Sequence, residues 1–297
     1  METSTVTANA SGSSSLLSDS TRLGAVELTV TDLERSIAFY RDVIGLTVLS
    51  REEARAALGA GDEELVVLHE EPGARRPGRE SGIYHFALLY PTREELARAG
   101  MRIVRTRTPI EGASDHGTHE AIYLPDPDGI GVELAADRER EFWPNYEDSE
   151  FARGGPNPLD VRNLLASVAE EEPQASARPG LRVGHVHLHV GDLERSTRFY
   201  RDGIGFEVVA ELPAAIFVSF GRYHHHLGYN LWRGRGAPPA GSAVTGLRQW
   251  TLILDSDDDL AAARERLTAL GARLESRDGG LLAHDPANIA VLLAVRQ

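Results

Sequence analysis

The spacing of apolar and polar residues predicts that strands and short helices alternate along this chain. Residues Leu23 to Val30 alternate as in a half-buried strand, and Thr31 and Asp32 then stand where an N-cap begins a helix. Apolar residues recur at helical spacing from there until Gly45, which ends the helix. Three β-rich segments follow, at 46–49, 54–58 and 65–69. Together these elements predict a βαβββ module.

The same order of elements recurs after a loop that contains Pro and Gly. A strand is predicted at Ile83 to Tyr90, and a helix from Thr92 to about Ala99. Further strands are predicted at Ile103 to Thr106, His119 to Leu124 and Gly131 to Ala135. The turn Asp126-Pro-Asp-Gly joins the last two strands, because these residues favour hairpin turns. This is the second module.

A long internal repeat indicates that both modules are duplicated. Residues 32–45 and 192–205 agree at eleven of fourteen positions, at an offset of 160 residues. An offset of that length points to duplication of a whole domain, since solenoid repeats are about 20 to 50 residues long. The third module opens at Arg182 to Val190 and closes near residues 224–232, and the fourth covers residues 247–295, with a helix at 257–270.

The predicted fold is therefore α+β, with four βαβββ modules in two tandem domains. Residues 1–21 are rich in Ser, Thr and Ala and are predicted to be a disordered tail. The first domain is placed at 22–138 and the second at 181–297. Residues 139–180 form the linker between them, with one amphipathic helix at 159–170 that is capped near Asp160.

The composition of the chain disfavours several classes of partner and of metal site. The net charge of −14 disfavours phosphate backbones and anionic lipids, so no nucleic-acid partner is expected. The chain has no cysteine, so any metal must be held by nitrogen and oxygen ligands. No apolar run approaches the roughly 18 residues that span a bilayer, and the first twenty residues do not resemble a secretory signal. A cytoplasmic protein without a membrane partner is expected.

Three residues at matching places in the modules predict a metal site. The module openings align as Ala25, His85, His185 and Trp250, so only the middle two offer an imidazole. At the closing strands the second module has Glu133, the third has Asn230, and the fourth has an aliphatic residue near Val291. A single strand histidine is more often a hydrogen-bonded core residue, but two histidines and one carboxylate together favour a divalent ion. Fe(II) is preferred, with Mn(II) as an alternative.

The stretch from His116 to Glu133 resembles the signature of a known superfamily. It reads His116-x5-Ile122-Tyr123-x2-Asp126-Pro127-x-Gly129-x3-Glu133, which follows the signature of extradiol dioxygenases. That signature begins before His116, and Ser114 is the one position that departs from it. The chain thus resembles the vicinal oxygen chelate superfamily, and within it the two-domain catechol 2,3-dioxygenases, over nearly all of residues 22–297. The resemblance implies four βαβββ modules that form cups, with the metal in one cup.

The resemblance also implies roles for six residues. The metal ligands would be His85, Glu133 and His185, and the catalytic residues His226, His116 and Tyr123. His226 precedes Asn230 by four positions, so strand alternation would place both on one face, and His226 matches the family's acid–base histidine. His224 or His225 would replace it if the register differs by one. Tyr123 is equally well explained as a core aromatic, and His226 as a strand histidine.

The implied activity is ring cleavage of a small aromatic diol, a catechol or a hydroquinone, with O2 at an Fe(II) centre, in aromatic catabolism. A glyoxalase-like metal-dependent lyase or isomerase and a metal-free protein of the bleomycin-resistance type are the alternatives. Because the ligands come from modules two and three, these two modules must form one cup. Module one must then pair with module four. The sequence leaves open whether they pair within one chain or across a homo-oligomer.

Overall fold

The computed structural model describes residues 16–145, 148–149, 154–241, 243–277 and 279–296. Within this part of the chain, four modules each begin with a strand that leads into a helix, followed by three strands. In the first module the elements are β1 (Arg22–Val30), α1 (Leu33–Phe39, continued by a π-helical turn at Tyr40–Ile44), β2 (Thr47–Arg51), β3 (Arg55–Ala60) and β4 (Glu63–Glu70). In the second they are β5 (Gly82–Tyr90), α2 (Arg93–Thr106), β6 (Gly112–Asp115), β7 (His119–Pro125) and β8 (Gly131–Asp137).

The linker and the second half of the chain continue this order. The linker contains β9 (Asn157–Pro158) and α3 (Val161–Ala166). The third module has β10 (Arg182–His189), α4 (Leu193–Thr197, continued by a π-helix at Arg198–Ile204), β11 (Glu207–Leu212), β12 (Ala215–Ser219) and β13 (Leu227–Asn230). The fourth has β14 (Gly246–Leu254), α5 (Asp257–Ala269), β15 (Arg273–Arg277), β16 (Gly280–His284) and β17 (Ala290–Val295). The prediction of four βαβββ modules is confirmed.

The module helices begin at side-chain caps that the sequence shows directly. In α1 and α4 the carboxylates of Asp32 and Asp192 accept from the backbone N–H three residues on, and Asp160 caps the linker helix α3 as predicted. The π-helical continuations of α1 and α4 end at Gly45 and Gly205, whose φ angles of 93° and 116° suit glycine. The repeated sequence therefore encodes both ends of the repeated helix.

One predicted helix boundary is wrong. The helix α2 does not stop near Ala99 but extends to Thr106, so the segment from Ile103 that was predicted as a strand is helical. Gly100 lies inside this helix, and a Cβ there would stand 2.7 Å from Leu165 on the linker. This close approach to α3 is a tertiary contact that local sequence does not show. The corresponding strand, β6, comes later.

The strands form two sheets, and each sheet combines modules from both halves of the chain. Sheet I has eight strands in the order β15-β16-β17-β14-β1-β4-β3-β2, from modules one and four. Sheet II has nine strands in the order β11-β12-β13-β10-β5-β8-β7-β6-β9, from modules two and three plus the linker strand. In both sheets the two modules meet through antiparallel opening strands. The predicted pairing is confirmed, and it occurs within one chain.

Strand alternation separates a core face from a cup face in sheet II. On β5 the side chains of Phe86 and Leu88 enter the main hydrophobic core, which also includes residues of sheet I and of the helices. On β10 the core positions are Val186 and Leu188. The positions between them face the cup of the sheet. A period of two therefore places histidines of β5 and β10 on the face opposite the core.

The two sheets are tied together by matching contacts within each sequence half. The Tyr40 hydroxyl donates to Asp126, from module one to module two, and the Tyr200 hydroxyl donates to Asp285, from module three to module four. The division into domains at 22–138 and 181–297 stays a prediction, since each sheet draws on both halves.

Part of the predicted tail is ordered. Leu16 donates its backbone N–H to the carbonyl of Gly205 at 2.9 Å, Leu17 is buried, and the Ser20 hydroxyl donates to Asp255 at 2.5 Å. The prediction of disorder is therefore wrong for residues 16–21, while residues 1–15 lie outside the described residues. In the described part of the chain, no helix has both the length and the apolar character needed to cross a membrane.

Candidate metal centre

The three predicted metal ligands lie on three adjacent strands of sheet II. His85 is on β5, Glu133 is on β8 and His185 is on β10, and β5 is the strand between the other two. The residue of β5 that pairs with both Glu133 and His185 is Ala87. Because its side chain is a single methyl group, the larger side chains on either side can meet above it. The strand register thus brings together residues that are up to 100 positions apart.

The donor atoms of these three residues form a compact triangle. The Nε2 atoms of His85 and His185 lie 3.1 and 3.0 Å from Oε2 of Glu133, and 3.3 Å from each other. Metal bonds of about 2.0–2.2 Å place neighbouring ligand atoms about 3 Å apart. All three side chains are buried. The arrangement therefore fits one divalent ion held by two imidazoles and one carboxylate.

The electrostatics of the triangle favour the protonation states that bind metal. Burial alone would raise the pKa of Glu133, but the charge of His185 and close contacts with the side chains of His119, His185 and His85 hold this pKa well below its ordinary value. Burial lowers the pKa of His185, although its contact with Glu133 acts in the opposite direction. An ionised carboxylate beside a neutral imidazole is what a cation requires of its ligands.

A fourth residue, His119 on β7, was missed by the sequence reasoning. Its Nε2 lies 3.3 Å from Oε1 of Glu133, and neither of these two buried atoms has a hydrogen-bond partner. Its ring stacks between those of His116 and His224, with centroids 4.2 and 4.5 Å apart. The available signal was its spacing, since His119 precedes Tyr123 by four residues and Glu133 pairs directly with Tyr123 across the hairpin.

The two residues predicted to be catalytic, His116 and Tyr123, meet beside the candidate metal centre. Nε2 of His116 lies 2.8 Å from the Tyr123 hydroxyl, which is a hydrogen bond. The ring of Tyr123 is also 5.7 Å from that of His85. Both side chains line the same cavity. Their role as catalytic residues stays a prediction.

The placement predicted for His226 is wrong. Its ring stacks on Phe220 at 3.6 Å, and its Nδ1 bonds with the Ser219 hydroxyl, so it does not line the cavity. The backbone of His226 still bonds to Val218 and Val186, but its side chain does not follow the alternation of β13, which begins at Leu227. The cavity is lined instead by His225, whose ring is 4.3 Å from that of His185.

Asn230 stands at the closing strand of module three, where module two has Glu133, but its side chain contacts two other histidines. Its side-chain oxygen lies 2.8 Å from Nδ1 of His189, and its amide nitrogen lies 2.9 Å from Nε2 of His187. All three side chains are buried. Asn230 therefore fixes the orientation of His187, which lines the cavity.

The cavity above the metal centre has a volume of about 780 Å³. Its walls combine the histidines with apolar side chains such as Val132 and Phe217. Two exposed aromatic residues, Tyr84 and Trp232, stand in its lining with ring centroids 5.1 Å apart. Volumes of about 300–1,000 Å³ and largely apolar walls are typical of small-molecule sites. The cavity is therefore large enough for an aromatic ring with substituents.

Sequence comparisons agree with this architecture. The profile of the Glyoxalase/Bleomycin resistance protein/Dioxygenase superfamily matches residues 22–134 and 182–279. The chain is 37% identical over 282 residues to the protein of Bacillus subtilis named Catechol-2,3-dioxygenase, covering 93% of this chain and 98% of that one. It is 30% identical over 170 residues to Biphenyl-2,3-diol 1,2-dioxygenase 3 of Rhodococcus globerulus, covering 51% of this chain and 86% of that one.

Solved structures show the same fold. A structure of a putative dioxygenase from Bacillus subtilis is similar with a TM-score of 0.63 and 12% identity, over 95% of this chain and 86% of that one. Glyoxalase I from Zea mays is similar with a TM-score of 0.57 and 21% identity, over 93% and 92%. At such low identity the likeness concerns the fold alone.

Proposed function

Because the chain belongs to the Glyoxalase/Bleomycin resistance protein/Dioxygenase superfamily, we propose that it is an extradiol ring-cleaving dioxygenase that uses Fe(II) and O2. Its substrate would be a catechol-type or hydroquinone-type aromatic diol, within aromatic catabolism. The observation that carries this proposal is the triangle of His85, Glu133 and His185 at the base of a cavity. Two imidazoles and one carboxylate with open positions are typical of non-haem Fe(II) oxygenases.

The donor set fits a metal on observations of the site itself. Two imidazole nitrogens approach the same carboxylate oxygen, and the second oxygen of Glu133 is buried without a hydrogen-bond partner. Fe(II) held there would act as a Lewis acid and would template the diol and dioxygen side by side. Mn(II) suits the same ligands.

The other residues of the cavity would orient the substrate and move protons. We assign His116 and Tyr123, which share a hydrogen bond of 2.8 Å, to hold the substrate oxygens. We assign proton transfer to His225, in place of His226, because His225 lines the cavity. General acid–base help of this kind supplies about 10²–10⁴-fold in rate. The apolar wall around Phe217 would exclude water from the reacting atoms.

The test is anaerobic reconstitution with Fe(II), followed by oxygen and a panel of catechols and hydroquinones. The cavity volume of about 780 Å³ recommends that the panel includes diols with bulky substituents. We expect oxygen uptake and coloured ring-fission products. Absence of uptake with every diol, in protein shown to contain one iron per chain, would defeat the proposal.

A glyoxalase-like reaction is the second candidate, and His119 is the observation that favours it. Its Nε2 lies 3.3 Å from Oε1 of Glu133, so a further imidazole stands beside the carboxylate, although outside the cluster of His85, Glu133 and His185. Activity with Zn(II) or Ni(II) on a thiol–ketoaldehyde adduct, without oxygen uptake on diols, would identify that function. A protein that purifies without metal and binds ligand equally well after His85→Ala would instead be a metal-free binding protein.

The proposal includes a cytoplasmic enzyme whose partners are small molecules. The net charge of −14 and the absence of cysteine support it. Because one chain supplies all three predicted ligands, the centre needs no second subunit. A homo-oligomer stays a prediction.

A further inference from the structure

A hydrogen-bonded chain of three side chains leads from the cavity wall to the end of a strand. We propose that Asp137 and His224 are positioning residues that fix the tautomer of His225, so that its Nε2 is the basic atom facing the cavity. The inference rests on the proposed function, because it takes His225 as the group that transfers protons.

The first link is the carboxylate of Asp137, the last residue of β8. It accepts a hydrogen bond from Nε2 of His224 at 3.3 Å. The Tyr223 hydroxyl lies 2.9 and 3.0 Å from the two oxygens of the same carboxylate. The Tyr223 hydroxyl therefore holds the Asp137 carboxylate in place, with one of its oxygens directed toward His224.

The second link joins the two histidines. Nδ1 of His224 lies 2.9 Å from Nδ1 of His225. Because Asp137 accepts from Nε2 of His224, a neutral His224 carries its proton there and has an unprotonated Nδ1. That nitrogen must accept, so His225 carries its proton on Nδ1 and leaves Nε2 as the lone-pair atom. Among the described residues, Nε2 of His225 makes no hydrogen bond, so it is free for a substrate proton.

Burial makes this assignment strict. The His224 side chain is 5% exposed, and His225 is buried. Because these side chains have little contact with water, each hydrogen bond of the chain favours one tautomer of the next ring. The Asp137 side chain is 24% exposed and connects the chain to solvent.

The same neighbourhood also contains a possible set of metal ligands, which geometry argues against. Atoms of His119, Asp137 and His224 lie within 4.8 Å of one another. The rings of His119 and His224 are nearly parallel, at 14° with centroids 4.5 Å apart. The lone pairs of stacked imidazoles lie in two separate planes, so both rings cannot point at one ion. Hydrogen bonding is therefore the better account of His224.

The tautomer can be observed directly, without activity. Long-range ¹H–¹⁵N correlation NMR of the full-length protein carrying diamagnetic Zn(II) should show His225 protonated on Nδ1. In His224→Leu, which removes the acceptor, the proton should move to Nε2 in a substantial fraction of molecules. A wild-type His225 that carries its proton on Nε2 would overturn the proposal even if the enzyme is active.

Kinetics of the Fe(II) enzyme supply the second readout. His224→Leu should lower kcat by about 10–100-fold, with KM and iron content within twofold of wild type, since loss of the correct tautomer is costly in related triads. His224→Gln should recover most of this loss, because an amide can donate to Asp137 and accept from His225. The matched control is His69→Leu, which removes a histidine bonded to Glu27 on sheet I and should leave kcat unchanged.

Three results would contradict the proposed hydrogen-bonded relay from Asp137 through His224 to His225. Leu and Gln at position 224 could be equally harmful, the loss could fall on KM or iron content, or wild type could bind a second metal that His224→Leu loses. If wild-type protein shows no oxygen uptake with any diol, the proposed function fails, but the NMR result still decides the tautomer.

Discussion

Apart from the linker strand β9, sheets I and II have the same topology, but their cups differ in chemistry. In sheet II, His85 pairs with His187, and in sheet I the equivalent pair is Gln249 and Glu27. Thus Gln249, and not the buried Trp250, stands where His85 does. The alignment of module openings was wrong by one residue at this strand, because Trp250 enters the core.

The other two ligand positions are apolar in sheet I. In sheet II, Glu133 pairs with Ala87 of β5, and in sheet I, Leu292 pairs in the same way with Thr251 of β14. The 160-residue offset matches His185 to Ala25. Sheet I does carry a polar cluster in its cup, where Glu27 contacts His69 at 2.6 Å and Gln249 at 2.9 Å. The same backbone therefore supports a candidate metal centre in one cup and a hydrogen-bond cluster in the other, depending on three side chains.

The largest expected effect is loss of the metal from sheet II alone. Glu133→Gln should lower iron affinity at least about 100-fold and abolish activity, because the amide removes the charge that binds the ion. Glu27→Gln, the matched change on sheet I, should leave iron content at wild-type level. Metal analysis after anaerobic reconstitution measures both. Equal iron in the two variants would break the distinction between the cups.

The next effect separates adjacent histidines of module three. His225→Ala should lower kcat by about 10²–10⁴-fold with iron retained, since it removes the group assigned to proton transfer. His226→Ala should change kcat by less than about threefold, because its ring stacks on Phe220 outside the cavity. Steady-state kinetics with iron-loaded protein tests this pair. A reversed order would restore the placement first expected from strand alternation.

A third prediction concerns a feature that both halves share. Burial raises the pKa of Asp126 and of Asp285 to about 6, and each carboxyl accepts from a buried tyrosine. A carboxyl with a raised folded-state pKa stabilises the fold at low pH, and this contribution is lost as the pH rises from about 4 through about 6.

Asp126→Asn and Asp285→Asn should therefore gain stability relative to wild type on going from pH 4 to pH 7. The gain is up to about 3 kcal/mol for each, from a shift of about two pKa units. Urea unfolding at several pH values measures it, and the two variants should behave alike. A gain at one position only would show that the two halves differ in their cores as well as in their cups.

The smallest expected effect probes the space between the ligands. Ala87→Leu should destabilise the fold by about 1–3 kcal/mol and weaken metal binding, because the added atoms would lie between Glu133 and His185. Thr251→Leu at the equivalent place in sheet I should cost less than about 1 kcal/mol, since that residue is only half-buried. Thermal unfolding with and without metal compares them. Equal costs would mean that Ala87 has no special role.

Much of this protein was determined by the sequence alone. The 160-residue repeat, the capping aspartates and the apolar–polar alternation predicted four modules, and the candidate ligands His85, Glu133 and His185 required modules two and three to share one cup. These features are local or repeated, and a strand's alternation fixes which side chains share a face. The hairpin signature likewise placed His116 and Tyr123 beside Glu133.

Only the tertiary structure decided the features that depend on where an element ends or on what packs against it. The side-chain orientations just before β13 place His225 in the cavity instead of His226, and α2 continues through Gly100, which lies close to Leu165. His119 gained its place beside Glu133 from the hairpin register and from ring stacking. Such contacts join residues that are distant in sequence or depend on one residue of register, and local propensity contains no information about either.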